Sequence, residues 1–148
     1  MKKILITGGG GYIGSMLTTE LLRLGNEVTV IDALKYDKGS LDHLFYEKKF
    51  KFINGDIKNF ELMKKIAEKN EFIIPLAALV GAPLCQKNKK EAVIVNYESI
   101  TNLLQNLKTK QKLIYLTTNS GYGVGEKNKF CNENSILKPI SLYGQTKC

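Results

Sequence analysis

The chain has 148 residues, 43% of them hydrophobic and 24% charged, with a formal net charge of +8. That length suits one domain whose core needs neither disulfide nor metal, and three cysteines without a CxxC pair, beside a single histidine, His43, exclude a disulfide framework and a Cys/His zinc site. The positive charge is almost all lysine, scattered along the chain, with Arg23 the only arginine; this argues for a solvated surface and against a reader of nucleic-acid bases.

Met1-Lys2-Lys3 opens like a secretory signal, but the apolar run Ile4-Leu5-Ile6 stops at Thr7 and glycines follow, too short for a signal core. No apolar stretch approaches membrane-spanning length. Cysteines read as free thiols fit a reducing compartment, so a cytoplasmic protein without membrane or nucleic-acid partners is expected.

Strand and helix patterns alternate from the first residue. Lys3 to Thr7 is a buried strand. Tyr12 to Leu24 repeats apolar residues at helical spacing through Ile13, Met16, Leu17, Leu21 and Leu24, and Gly25 stops it as a C-terminal glycine does. Glu27 to Asp32 is a second strand, a short helix is expected around Leu41 to Tyr46, and Phe50 to Asn54 is a third strand. Asn59 to Lys69 is amphipathic through Phe60, Met63, Ile66 and Ala67. Glu71 to Leu76 is a fourth strand, Glu91 to Lys108 a long helix and Lys112 to Thr117 a fifth strand. Residues 118 to 138, rich in Gly, Asn and Ser, read as a functional loop. Pro139 stands where a helix can begin.

This alternation implies right-handed crossovers and a doubly wound α/β parallel sheet, the Rossmann arrangement, in the order 3-2-1-4-5. Ligands then bind at the carboxyl ends of the strands, near the switch between strands 1 and 4. The last helix has barely begun at Cys148, so residues 1–148 read as one dinucleotide-binding domain cut before its sixth strand, part of something longer.

Thr7-Gly8-Gly9-Gly10-Gly11-Tyr12-Ile13-Gly14 joins strand 1 to helix 1. Gly8, Gly11 and Gly14 fit G-x-x-G-x-x-G, whereas Gly9, Gly11 and Gly14 fit G-x-G-x-x-G, and both registers stay open. In either, the first glycine permits a tight turn, Gly11 lets backbone approach a pyrophosphate, and Gly14 lets the helix pack closely. The helix N-terminus offers its free N–H groups to phosphate. Asp32 ends strand 2, where a carboxylate accepts hydrogen bonds from the adenosine ribose and repels a 2′-phosphate, so NAD is expected over NADP. Asp56 has two readings, an N-cap for the next helix or a hydrogen bond to the adenine amino group.

Tyr143 and Lys147 stand four apart, on one face of a helix. A free phenol titrates near about 10, and a neighbouring ammonium favours the phenolate; such a tyrosine can take a proton from a substrate hydroxyl. Thr118, at the end of strand 5, can hydrogen-bond the same oxygen.

The ordered set Thr7-Gly8-Gly9 to Gly14, Gly55-Asp56-Ile57, Leu76-Ala77-Ala78, Val95-Asn96, Thr117-Thr118 and Tyr143 to Lys147 resembles the extended short-chain dehydrogenases/reductases, in particular their NAD-dependent epimerase/dehydratase group, across nearly the whole chain. The resemblance implies Thr118, Tyr143 and Lys147 as catalytic residues. It also implies a cofactor-binding set of Gly8, Gly11, Tyr12, Ile13, Gly14, Asp32, Asp56, Ile57, Leu76, Ala77, Ala78, Asn96, Tyr143 and Lys147. Within it Asp56 and Ile57 meet adenine, Ala77 and Ala78 line the cofactor, Asn96 supports the active site and Lys147 holds the nicotinamide ribose. Pro75-Leu76-Ala77-Ala78 departs from the His-x-Ala-Ala often found in the group. Asn119-Ser120 stands where its dehydratases carry Asp-Glu, which argues against dehydration. What the resemblance implies is a nucleotide-sugar epimerase acting through a keto-sugar, with a homodimeric parent enzyme and a C-terminal domain that recognises the sugar. Rivals are a sugar dehydrogenase, reductase or dehydratase of the same family, and a non-catalytic NAD-binding module. The 148 residues alone are expected to be inactive.

Overall fold

The computed structural model describes residues 1–36, 39–125 and 128–148. They form two compact units, Met1–Ala77 with Ser99–Tyr115 and Ala78–Glu98 with Leu116–Cys148.

The first unit is built on a five-stranded parallel sheet: β1 (Lys3–Thr7), β2 (Glu27–Asp32), β3 (Phe50–Asn54), β4 (Phe72–Pro75) and β5 (Lys112–Leu113). Its order, β3-β2-β1-β4-β5, is the expected doubly wound one. In register, Thr7 pairs with both Ile31 and Pro75, so β1 and its neighbours end level beside the glycine loop. Side chains alternate across the pleat. Ile4, Ile6, Val28, Val30 and Ile74 bury on one face with Leu41 and Leu44, against Leu17, Leu21 and Leu22 of α1 (Tyr12–Arg23). Leu5, Ile31 and Ile73, wholly buried, alternate with them. A small cavity lined by Thr7, Ile57, Met63, Pro75, Ser99 and Leu103 lies where α2 (Phe60–Ala67) and α5 (Ser99–Asn106) meet the sheet. Each such Leu or Ile stabilises the fold by about 1.5–3 kcal/mol.

Helix α1 ends as a Schellman motif. Gly25 takes φ +84°, its N–H donates to the Leu22 carbonyl, and the Asn26 N–H reaches the Leu21 carbonyl. The buried face of this helix differs from the apolar stripe in the sequence: Gly14 and Thr18 are buried while Ile13, Met16 and Leu24 are exposed. Thr18 can be buried because its hydroxyl donates to the Gly14 carbonyl at 2.7 Å.

Four elements depart from the pattern. The long helix expected over 91–108 is a run of α4 (Lys89–Val93), a π-helical turn at Ile94–Glu98, and α5. The β-branched residues Ile94 and Val95 open that turn directly after Val93, the last residue of α4, and β-branched side chains fit an α-helix less well than unbranched ones. The β5 ladder stops at Leu113 rather than Thr117. In the two-residue rhythm of a parallel ladder, residue 75 is the next β4 amide due to donate toward β5, and Pro75 has no N–H. A short helix α3 (Ala82–Lys87), with proline in its first turn, lies in a segment whose periodicity is too brief to read. The short helix expected near 41–46 is a 3-10 turn, Asp42–Leu44.

The second unit holds α3, α4, the π turn, a 3-10 turn (Asn119–Tyr122) and α6 (Leu142–Lys147). Helix α6 starts three residues after Pro139, under Ser141, whose side chain accepts from the Gly144 N–H at 3.1 Å. Among the described residues no helix is long and apolar enough to cross a membrane.

Candidate functional site

In the first unit the strand ends converge on the glycine loop. Gly8 takes φ +71°, and a Cβ there would lie 2.5 Å from the Ala77 nitrogen. Gly9 has no more room: its Cβ would lie 2.5 Å from Val30 Cγ1. A Cβ on Gly14 would strike the Gly8 carbonyl oxygen and the Gly9 Cα, so the helix packs on the loop's own backbone. The left-handed turn thus falls at Gly8, which selects the Gly8-Gly11-Gly14 register. The loop is tied to its surroundings by main chain: Gly8 N–H donates to the Ile31 carbonyl, Leu76 N–H to the Thr7 carbonyl, and Ala77 N–H to both the Thr7 carbonyl and Oγ1.

Helix α1 opens behind this loop with Gly11 as its cap. No side chain caps it, and its first turn holds no acidic residue. Its leading amides therefore have no side-chain acceptor, the condition under which a helix N-terminus takes an anion. Tyr12 and Ile13 stand exposed beside them. This arrangement, close backbone without side chains and uncapped amides, fits a pyrophosphate.

Asp32 lies at the mouth of the same loop. Its Oδ2 accepts from the Gly10 N–H at 2.8 Å and its Oδ1 from the Leu34 N–H at 2.8 Å. An ionised carboxylate has about four acceptor positions, so each oxygen keeps one for a ligand hydroxyl. Leu34 pays for its bond with φ +50°, rare for leucine. On the other side of Gly10, Ser40 Oγ donates to its carbonyl at 2.7 Å.

Asp56 is not the helix cap: Asn59 is, accepting from the Leu62 N–H at 3.1 Å. The Asp56 carboxylate instead turns back on the Lys58 N–H at 3.0 Å and pairs with the ammonium groups of Lys58 at 3.4 Å and Lys35 at 4.0 Å. A capping side chain sits one position before the first helical turn, and Asp56 sits four before Phe60. Ile57 is buried, and Leu76 packs against the cluster of Ile4, Ile6, Val28, Val30 and Ile74.

The second unit gathers Thr117, Thr118, Ser120, Tyr143 and Lys147. Thr118 Oγ1 accepts from the Ser120 N–H at 3.2 Å, capping the 3-10 turn, and its own proton is free to be donated elsewhere. Thr117 Oγ1 donates to the Lys147 carbonyl at 3.0 Å. A Cβ on Gly144 would lie 2.9 Å from the Ser120 carbonyl oxygen, so only glycine lets α6 press onto that turn. Tyr143 is half-buried. Lys147 is 6% exposed, and burial pushes its ammonium below the ordinary value, an effect partly opposed by Cys148.

Asn96, on the π turn, is 2% exposed rather than a surface residue. Its carboxamide holds both backbone groups of Leu79, touches Cys85 Sγ at 3.8 Å and reaches Thr146 Oγ1 at 3.4 Å. Thr146 lies between Tyr143 and Lys147, with its hydroxyl donating to the Leu142 carbonyl at 2.8 Å. Asn96 thus joins the segment after Ala78, itself half-buried, to the helix that carries Tyr143 and Lys147. Ser40 and Ser141 are site-forming residues that the sequence motifs do not mark. Ser141 alone had a signal, a serine just ahead of a helix.

The family model for the NAD dependent epimerase/dehydratase family matches residues 4–148. A UDP-glucose 4-epimerase of Lactobacillus helveticus is 34% identical over 98% of this chain and 44% of its own length. A dTDP-D-glucose 4,6-dehydratase of Dictyostelium discoideum is 33% identical over 99% of this chain and 38% of its own. The solved UDP-glucuronic acid 4-epimerase of Bacillus cereus, in complex with UDP-glucuronic acid and NAD, superposes with a TM-score of 0.85 at 31% identity, over 98% of this chain and 48% of that one. The chain spans less than half the length of each of these relatives.

Proposed function

Because the chain belongs to the NAD-dependent epimerase/dehydratase family, we propose that it is the cofactor-binding part of an NAD-dependent nucleotide-sugar 4-epimerase. NAD is the cofactor of that family. The observation that carries the reading is the uncapped start of α1 behind a loop whose Gly8, Gly9 and Gly14 leave no room for side chains. Those amides would hold the pyrophosphate, Asp32 the adenosine ribose, and Asp56 and Ile57 the adenine end. Bound NAD supplies a reversible acceptor for hydride from a sugar carbon.

The chain's own residues supply the proton chemistry. Tyr143 takes the proton of the sugar hydroxyl. Lys147, one helical turn on, would steady the nicotinamide ribose. Thr118, with its oxygen anchored on the Ser120 N–H, donates its own proton to the same sugar oxygen. Asn119 and Ser120 follow Thr118; neither is an acid that could help expel water, which favours epimerisation over the dehydration named for the Dictyostelium relative. The same residues would also serve a sugar dehydrogenase, and the fate of the reduced cofactor separates the two.

Calorimetric titration of the 148-residue chain tests the reading. Saturable NAD binding with NADP at least tenfold weaker supports it, and no binding of either dinucleotide overturns it. We further propose that this chain alone does not interconvert UDP-glucose and UDP-galactose; turnover by it would refute that part.

A further inference from the structure

Gly10 is the one glycine of the loop that neither spacing register uses, yet both its backbone groups are held by side chains. The Asp32 carboxylate takes its N–H at 2.8 Å, and the Ser40 hydroxyl donates to its carbonyl at 2.7 Å. These partners come from 22 and 30 residues further along the chain. The fit is close: a Cβ on Gly10 would lie 3.0 Å from Asp32 Oδ2 and 3.1 Å from Leu34 Cδ2. Leu34 keeps its place through the N–H bond to Asp32 Oδ1 despite a left-handed backbone.

A run of four glycines has more backbone freedom than any other sequence of that length. Without outside support it would have to be ordered at the moment of ligand binding, and that ordering weakens affinity. Asp32 has a ligand-facing reason to be there. Ser40 has none in the motifs, and its hydroxyl is directed at the loop's backbone.

We propose that Ser40 is a positioning residue for dinucleotide binding: with Asp32 it grips the Gly10 peptide from both sides and holds the glycine loop in its binding shape before the ligand arrives. The proposal rests on the NAD reading above. Ser40 acts through Gly10 and the adjoining Gly11, whose carbonyl accepts the Ser15 N–H in the first turn of α1. Loss of one such hydrogen bond corresponds to roughly a fivefold change in an equilibrium.

The test compares Ser40→Ala and Ser40→Thr in the 148-residue chain. Two quantities are read: amide hydrogen exchange across residues 8–14 without ligand, and the NAD dissociation constant. Ser40→Ala is expected to speed exchange in that segment and to weaken NAD roughly fivefold, with the melting temperature little changed; Ser40→Thr, which keeps the hydroxyl, restores both. Unchanged exchange in Ser40→Ala overturns the grip itself, whether or not NAD binds. Faster exchange with unchanged NAD affinity overturns the positioning role. If the parent chain fails to bind NAD, the functional reading falls and the role in dinucleotide binding with it, while the exchange data still decide whether Ser40 holds the loop.

Discussion

The Asn96 side chain mimics a strand partner for Leu79: its Oδ1 accepts from the Leu79 N–H at 2.8 Å and its Nδ2 donates to the Leu79 carbonyl at 2.9 Å. One buried carboxamide thereby satisfies both main-chain groups of a buried residue in a segment that has left the sheet. Asn96→Ala strands the Leu79 N–H and leaves its carbonyl only the Cys85 thiol at 3.3 Å, and is expected to destabilise the chain by about 1–3 kcal/mol. Urea unfolding reads this directly; a loss below about 0.5 kcal/mol would mean that water replaces the amide without penalty.

Gly8 and Gly81 both have left-handed backbones, φ +71° and +94°, but their surroundings differ. Nothing lies within 4 Å of a Cβ on Gly81, whereas one on Gly8 would run into the backbone of Ala77. Gly81→Ala should therefore show backbone strain alone, about 1–2 kcal/mol, and Gly8→Ala clearly more. Thermal melts of the two variants check the ordering, and equal losses would show that β4 yields to the added methyl.

Burial holds the Lys147 ammonium below its ordinary value of 10.5. Between the folded and unfolded values the unfolded chain binds more protons, so this residue makes stability rise with pH through that window. At lower pH the burial penalty is fully present; as pH rises toward 10.5 it is relieved. Unfolding free energies of the parent and Lys147→Met, measured side by side from neutral to alkaline pH, should shift steadily in the parent's favour. A constant difference would show that the folded ammonium is not desolvated.

Most of the architecture was readable because it rests on local signals. Alternating apolar strands, the glycine turn and Gly25 all act within a few residues of where they stand, and β1, β2 and β3 fall on the expected residues. The departures have nonlocal or competing causes. Pro75 ends a ladder on the neighbouring strand, and a π turn that carries Asn96 interrupts a helix whose periodicity runs on. The Tyr143 and Lys147 spacing was legible, but Ser40 on Gly10 and Thr117 on Lys147 span 30 residues each, and no spacing rule reaches so far. Asp56 looked like a cap because the sequence shows an acid before a helix; Asn59, one position ahead of Phe60, has the geometry.

The bond from the Ala77 N–H to Thr7 Oγ1 spans 70 residues, and this gives the glycine loop a birth order. Its wall on one side is Val30 and on the other the backbone of Ala77, so no leading peptide that ends at α1 contains the surfaces that shape it. At roughly 5–20 residues per second of synthesis, Ala77 follows α1 by several seconds. As the chain leaves the ribosome, α1 can coil early while the cradle before it waits, shapeless, for β4 to arrive.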